Sequence, residues 1–398
     1  MIMDVMMGFY YRHENGYKRP SLFFYLVNHL LCPPIYFFIP LILMPTLIDS
    51  EWIKKNIKKF YKKKVVIITG AGISVASGIP DFRSKSGIFA EIKEKFKVNG
   101  SDLFTYKFGI NKETRRIYLK YICKLKKLVE ECKPSYTHLF FKYFVERSRK
   151  FRVYTQNIDG LEIKGGLKYQ EDSKTELVHL HGDLKFLKCI NCGIKEEFKE
   201  EFINKIEKGL EIQCKSCKSK RKTTPTYLHT NIIHYYQDHP YSELISNRIQ
   251  NDTGCNLLIV VGTRLDVFGV ENMVKYFTNK KITSIFINPE HPKKKIENYF
   301  EFYYPGKSDE FFENLKEEIE KYRIYRKVKR LSLCKETEKD IEFKKNKEDP
   351  LKQKKKDNIN SLKRLSLTTQ DIESSFLTIE NDLYSPCPKK YQKNEEGS

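Results

Sequence analysis

Residues 64–74 read KVVIITGAGIS. A short β-branched run ends at two glycines. Such a run suits a strand buried inside a sheet, entering a tight turn that can face phosphate. Gly70, Ala71, Gly72 and Ser74 supply small residues where a backbone approaches a pyrophosphate, next to the free amides of a helix start. The usual dinucleotide fingerprint asks for another glycine three residues after the second, and Val75 stands there. An ordinary strand-to-helix turn therefore explains the loop about as well. The same gap speaks against a dehydrogenase-type fold carrying a zinc ribbon.

Working outward, the grammar repeats. FRVYTQNIDGL (151–161), TELVHLHGDL (175–184), CNLLIVVGT (255–263) and ITSIFINPE (282–290) are further strand-like runs, each ending in a polar or glycine loop. Residues 49–64, DSEWIKKNIKKFYKKK, predict a helix capped by Asp49 or Ser50. Residues 110–150 predict mostly helix, broken near Pro134, and FFENLKEEIEKY (311–322) a closing amphipathic helix. Strands alternating with helices predict an α/β fold: a doubly wound, Rossmann-like parallel sheet with a helical insertion and a small inserted zinc-ribbon module. Ligands in such sheets bind beyond the carboxyl ends of the strands, where all of these loops lie.

The residues at those ends carry chemistry. Asp81, Phe82 and Arg83 follow the glycine loop closely. An arginine pairs with phosphate, and an aromatic ring shields a reactive ring from water. Gln156, Asn157, Ile158 and Asp159 sit at a second strand end, Gly262, Thr263 and Arg264 at another, and Asn288 at a fourth. His181 lies beyond the third strand, where Gly182 is expected to open space beside its ring; His179 reads as structural. Cys189-x-x-Cys192 and Cys214-x-x-Cys217 are separated by 21 residues. That spacing predicts two knuckles around one structural zinc, with four thiolates and no open position. Cys32, Cys123, Cys132, Cys255, Cys334 and Cys387 read as packing or tail residues.

The chain has 398 residues and a formal charge of +22, which favours anionic partners such as nucleic acid or chromatin, although base bias in a genome produces the same lysine excess. Ten cysteines, mostly scattered, do not form a secreted disulfide framework. Residues 1–48 form a leader. Pro20 to Ile48 carries no charge but holds five prolines, and Pro33-Pro34 divides it into pieces too short to span a bilayer. Three readings stay open: a mis-called start with Met44 as the true one, a membrane anchor, or a signal or buried segment. Residues 321–398, with 20 Lys+Arg and 13 Asp+Glu, predict an unstructured basic tail. It repeats KRLSL at 329–333 and 363–367, presenting Ser332 and Ser366 as candidate kinase sites. Lys352 and Lys354–Lys356, with Lys344 and Lys345 upstream, form a candidate nuclear import signal.

GAGISVASGIPDFRS, TQNIDGL, LHGDL, the two C-x-x-C pairs, VVGT and INPE resemble sirtuin motifs in order and spacing, over roughly residues 50–320. The wording FRSKSGIF, YTQNIDGLE and LHGDLKFLKC is most similar to the fungal nuclear, histone-deacetylating branch. The resemblance implies a catalytic domain over 49–320 with a zinc module at about 185–235. It implies an NAD-dependent protein-lysine deacetylase acting on histones in the nucleus, with cytoplasm the alternative. Nicotinamide and acyl-ADP-ribose would be released.

It also assigns roles. Gly70, Ala71, Gly72 and Ser74 would line pyrophosphate and ribose, Phe82 would cover the nicotinamide pocket, Arg83 would sit near the phosphates, and Asp81 would be a further cofactor contact. Gln156 and Asn157 would hold the nicotinamide ribose, and Ile158 and Asp159 its carboxamide. Gly262, Thr263, Arg264 and Asn288 would face the adenine side. His181, with Asn157, would be catalytic, its imidazole titrating near the usual ~6.5. Two departures stand out. Tyr235-Tyr236-Gln237 replaces a phenylalanine-glycine-glutamate near the peptide strand, and Arg264 replaces a serine. Mono-ADP-ribosyl transfer and a catalytically weak chromatin-binding zinc protein remain the other readings.

Overall fold

A computed structural model describes residues 44–345, apart from 62, 149, 170–174, 220–225 and 281, and apart from the side chains of 218, 219, 268 and 333–345. Most of the expected leader, the tail beyond 345, Ser366 and the Lys352–Lys356 cluster lie outside the described residues. The chain divides into two units, 1–325 and 326–398.

Seven strands form one parallel sheet: β1 (Thr46–Leu47), β2 (Lys64–Thr69), β3 (Lys150–Thr155), β4 (Leu177–His179), β8 (Leu257–Val261), β9 (Thr283–Ile287) and β10 (Phe302–Tyr304). Their order is β1-β10-β9-β8-β2-β3-β4. After β1 at one edge, the chain enters the centre at β2, steps out through β3 and β4, returns to β8 beside β2, and steps back through β9 and β10 toward β1. The carboxyl end of β2, where the glycine loop begins, is therefore the switch point at which such sheets open a crevice.

Side chains alternate across the sheet. Val65, Ile67, Leu257, Ile259 and Val261 pack on one face with Phe140, Phe141, Phe311 and Phe312. Val66, Ile68, Leu258 and Val260 pack on the other with Ile245, Val274 and Phe277. Both faces are covered, which is why these strands read as continuous apolar runs. Burying each such side chain stabilises the fold by roughly 1.5–3 kcal/mol.

A second layer is inserted after β4. Strands β5 (Gly182–Cys189), β6 (Lys195–Glu197) and β7 (Leu228–Ile232) form an antiparallel sheet in the order β6-β5-β7. It shares a core with the inserted helices, of which Arg115–Glu131 is the longest, through Leu184, Leu187, Phe198, Tyr118 and Ile122. A further inserted helix, Tyr136–Val145, begins just past Pro134, as expected.

Two boundaries differ from the sequence reading. Thr46 and Leu47 pair with Phe302 and Tyr303, and Ile48 is buried, so the folded domain begins before residue 49. A two-residue edge strand has no periodicity to betray it. Asp49 is the N-cap of the helix Ser50–Lys55, accepting from the Trp52 N–H at 2.8 Å. At the other end, the helix Ser308–Lys345 runs on past Lys321, through the first KRLSL copy. Lysine and arginine are good helix formers, so a polar stretch need not end a helix. No helix among the described residues is long and apolar enough to cross a membrane.

Candidate functional site

One cavity of about 1260 Å³ opens at the carboxyl ends of β2, β3, β4, β8 and β9. Gly70, Ala71, Gly72, Asp81, Phe82, Arg83, Gln156, Asn157, Ile158, His181, Gly262, Thr263, Arg264 and Asn288 all line it. Fourteen positions, named from the strand-end loops and from the sirtuin resemblance, thus converge. Ser74 and Asp159 do not line it. Ser74 is buried behind the wall, where its hydroxyl donates to Asp159 Oδ2 at 2.8 Å and accepts from Asn157 Nδ2 at 3.3 Å. The pair braces Asn157 from behind.

The glycines answer a nearer constraint than the ligand. A Cβ on Gly72 would lie 2.7 Å from the Gly262 Cα, because the β2 and β8 loops cross backbone to backbone, with Gly72 N–H donating to Gly262 O at 2.8 Å. Gly182 answers a similar constraint. Its φ is +79°, and a Cβ there would lie 1.9 Å from Asn231 O. It lets β5 pair closely with β7, where Gly182 faces Ile232.

Gln156 ties the strand ends together: its Nε2 donates to Thr69 O and to Thr263 Oγ1, both at 3.0 Å. Its own carbonyl oxygen accepts from His181 Nδ1 at 3.0 Å. Since a carbonyl can only accept, Nδ1 carries the proton and Nε2 keeps its lone pair. Burial lowers the His181 pKa to about 4; the Gln156 bond opposes this and His239 adds to it. The ordinary value expected from sequence is thus corrected, because desolvation disfavours the imidazolium. The ring stays neutral, able to accept a proton, throughout the physiological range. The acid limb of kcat/KM for the free enzyme is accordingly expected at about pH 4. A limb near ~6.5, the value of a solvated imidazole, would contradict this burial.

Phe82 packs edge-on against Phe89 and Phe104, at 5.7 and 5.6 Å between centroids, making an aromatic wall. Asp81 holds its own loop: Oδ1 accepts from the N–H of Arg83 and of Ser84, both at 2.7 Å. Arg83 pairs with Asp266 at 2.8 Å, and Lys293 and Arg264 converge on the same carboxylate. Burial pushes the Asp266 pKa up, but these three cations outweigh it and hold the group below its usual value. Arg264 also reaches Glu290 at 3.3 Å, and Asn288 Nδ2 donates to Glu290 O at 3.0 Å.

Sequence reading missed several residues. Asp266 is one. Glu162 is another: it is fully buried, accepts from Thr69 and Thr155, and lies beside Asp159 and His138. Burial first, then the charge of Asp159, raises its pKa to about 8. Although His138, Asp159 and Glu162 lie within 4.8 Å of one another, His138 Nδ1 accepts from Ser135 N–H. Its Nε2 therefore bears hydrogen and is a donor, which disfavours a metal there. A third missed feature is the His234–Tyr118 hydrogen bond of 2.8 Å under the rim loop. A glutamate in TQNIDGLE and a histidine inside an apolar strand run were the only signals available.

At the altered peptide loop, Tyr236 has φ +62° and is 75 % exposed. The backbone keeps a glycine-like left-handed turn without the glycine, at a cost of about 1–2 kcal/mol. Gln237 turns inward, its Oε1 accepting from His234 N–H at 3.0 Å.

The four cysteines form a separate centre. Their sulfur atoms lie within 4.8 Å of one another, with Cys189–Cys217 at 3.8 Å and Cys192–Cys214 at 3.6 Å. Those separations are far too long for disulfides. They match the edges, about 3.8 Å, of a tetrahedron with Zn–S bonds of ~2.3 Å. The Cys189 sulfur accepts from the N–H groups of Asn191 and Cys192, as a metal knuckle requires. The donor set fits one zinc held by four thiolates, leaving no position for substrate.

A model of the Sir2 family matches residues 70–269, half of the chain and all of the cavity's glycine, Gln156–Asp159, His181 and Gly262–Arg264 segments. This chain belongs to the Sir2 family. It is 32% identical over 295 residues to the NAD-dependent histone deacetylase HST3 of Candida albicans, covering 65% of this chain and 60% of that protein. It is 31% identical over 259 residues to the NAD-dependent protein deacetylase hst4 of Schizosaccharomyces pombe, covering 59% and 62%. The chain thus spans about six-tenths of the length of these relatives. The crystal structure of a Sir2 homologue–NAD complex superposes with a TM-score of 0.55 at 21% identity, covering 70% of this chain and 97% of that one. A Sir2 homologue mutant in complex with 2′-O-acetyl ADP ribose gives 0.57 at 22%, covering 69% and 98%. The Sir2-family fold is shared with them, and the fungal resemblance read from the motifs agrees with the relatives found.

Proposed function

We propose that this chain is an NAD-dependent protein-lysine deacetylase acting on histones in the nucleus. The observation that carries it is the His181 tautomer. A neutral ring whose Nδ1 is committed to Gln156 O has Nε2 available as a base, on the wall of the cavity that Asn157 and the glycine loop also line. The cavity's chemistry suits NAD. Small backbone loops would face the pyrophosphate, the Phe82–Phe89–Phe104 wall would exclude water from the nicotinamide end, and Gln156 and Asn157 would hold the ribose. Ile158 would contact the carboxamide, with Asp159 acting through Ser74 to fix Asn157.

In this reading NAD is a substrate. The acyl-lysine oxygen takes the place of nicotinamide on the ribose, and His181 Nε2 removes the proton from a ribose hydroxyl. An amide oxygen is a weak nucleophile, so alignment in a dry cavity supplies much of the rate. The names of the relatives support histone substrates and a nuclear site of action, and the charge of +22 supports chromatin or DNA contact.

The test is to incubate zinc-loaded protein with NAD and an acetyl-lysine histone peptide, and to measure nicotinamide and deacetylated peptide together. Equal release of both is expected. No nicotinamide above blank would remove the enzyme reading. Nicotinamide with ADP-ribosylated protein and intact acetyl-lysine would favour mono-ADP-ribosyl transfer instead.

A further inference from the structure

The loop that follows β7, residues 233–238, lines the cavity rim. It is anchored at nearly every step. Ile233 N–H donates to His181 O at 2.9 Å. His234 Nε2 bonds Tyr118 OH, and its ring lies 5.2 Å from that of His229. Tyr235 is bridged to Phe104 and Tyr106 by two backbone hydrogen bonds of 3.0 Å, and its hydroxyl accepts from Arg83. Gln237 is turned in toward His234.

Two side chains are left over. Tyr236 is held outward in a left-handed conformation with its ring in no aromatic or cation contact among the described residues. Asp238, exposed and two residues on, has no ion pair among the described residues. The turn is closed beneath the residue by Gln237 N–H donating to His234 O at 3.3 Å, but the Tyr236 ring itself gains no burial from it. Strain kept at a rigid rim, on an exposed ring, marks a ligand contact.

The chemistry of the two groups selects the ligand. An aromatic face attracts an ammonium or guanidinium, and a free carboxylate nearby adds to that attraction. The other cavity-lining carboxylates are already engaged: Asp266 and Glu290 by cations, Asp81 by its own loop, and Asp309 by Thr137. On a chain of net charge +22, an unneutralised acid two residues from an exposed ring on the cavity lining is a local exception.

We propose that Tyr236 and Asp238 form a subsite for a lysine or arginine side chain flanking the acylated lysine, so that they set preference for substrates with a basic flank. This rests on the deacylase reading above.

Two acetyl-lysine peptides, alike except for lysine or norleucine at the flanking position, test it. Wild-type protein is expected to favour the lysine peptide in kcat/KM by about three- to tenfold, mostly through KM. In Tyr236→Gly and in Asp238→Asn the ratio should fall toward one, whereas Tyr236→Phe, which keeps the ring, should retain it. Tyr236→Gly should melt no lower than wild type, since glycine accepts the left-handed turn. A wild-type ratio of one, or a ratio unchanged by Tyr236→Gly, overturns the subsite while leaving deacetylation intact. Collapse of turnover on both peptides in Tyr236→Gly also overturns it, and would make the ring a cover for the cavity. Absence of nicotinamide release with either peptide instead defeats the deacylase reading itself.

Discussion

His181→Ala is expected to lower deacetylation by about 10²–10⁴-fold, the usual contribution of a positioned base, while leaving the fold and NAD binding in place. His181 leans on the rest of the site through one ring bond to Gln156 O and its carbonyl bond to Ile233 N–H. Alanine keeps the second, so the rim loop should hold. In the proposed reading NAD would be held by the glycine loops, the Gln156 side chain and the other strand-end groups, and the Gln156 side chain is fixed by Thr69 O and Thr263 Oγ1 without the imidazole. NAD binding by calorimetry, read beside turnover, separates the two effects. Near-normal turnover in the variant would remove His181 as the base. A parallel loss of NAD affinity would make it a structural residue.

Loss of the zinc centre is expected to act on stability first and on activity through it. Structural zinc sites in small modules contribute about 10–16 kcal/mol of apparent binding energy at neutral pH. Cys214→Ser, or removal of metal by a strong chelator, should therefore cause a marked drop in melting temperature. One equivalent of zinc should be released on denaturation of the wild type. Turnover should fall too, although no cysteine among the described residues lines the cavity. The path is short: Cys189, Cys214 and Cys217 belong to one core with Leu187, Leu228 and Tyr118, and β7 runs from that core into Ile233, which holds His181. Unchanged melting after stoichiometric metal removal would contradict a structural zinc, and a stable but inactive apoprotein would point to a role nearer the chemistry.

Much of this site was legible from short-range pattern. The β-branched runs predicted the central strands because both faces of the sheet are covered, and the loops that end them had to meet at the switch point. The cysteine pairs predicted their centre because ligand spacing is a local property. The domain edges were harder. Thr46–Leu47 pairs with a strand some 250 residues away and shows no pattern of its own, and the closing helix continues through residues whose polarity suggested an unstructured tail. Glu162 and Asp266 escaped notice because their importance lies in partners contributed by other strand ends.

By itself, then, the sequence determined the kind of fold, the meeting of the strand-end loops, the zinc ligands and the candidate base at His181. The fold, the converging loops and the cysteine centre follow from periodicity and spacing along the chain, whereas the base at His181 is what the resemblance to sirtuins implies. Only the tertiary structure decided how those residues are set. It placed Ser74 and Asp159 behind the cavity wall, set Gly182 tightly against the β7 backbone, committed Arg83 to Asp266, and buried His181 with its proton on Nδ1. Those outcomes depend on groups far apart in sequence sharing a few ångströms of low-dielectric space, where desolvation and hydrogen-bond geometry set charge and proton position.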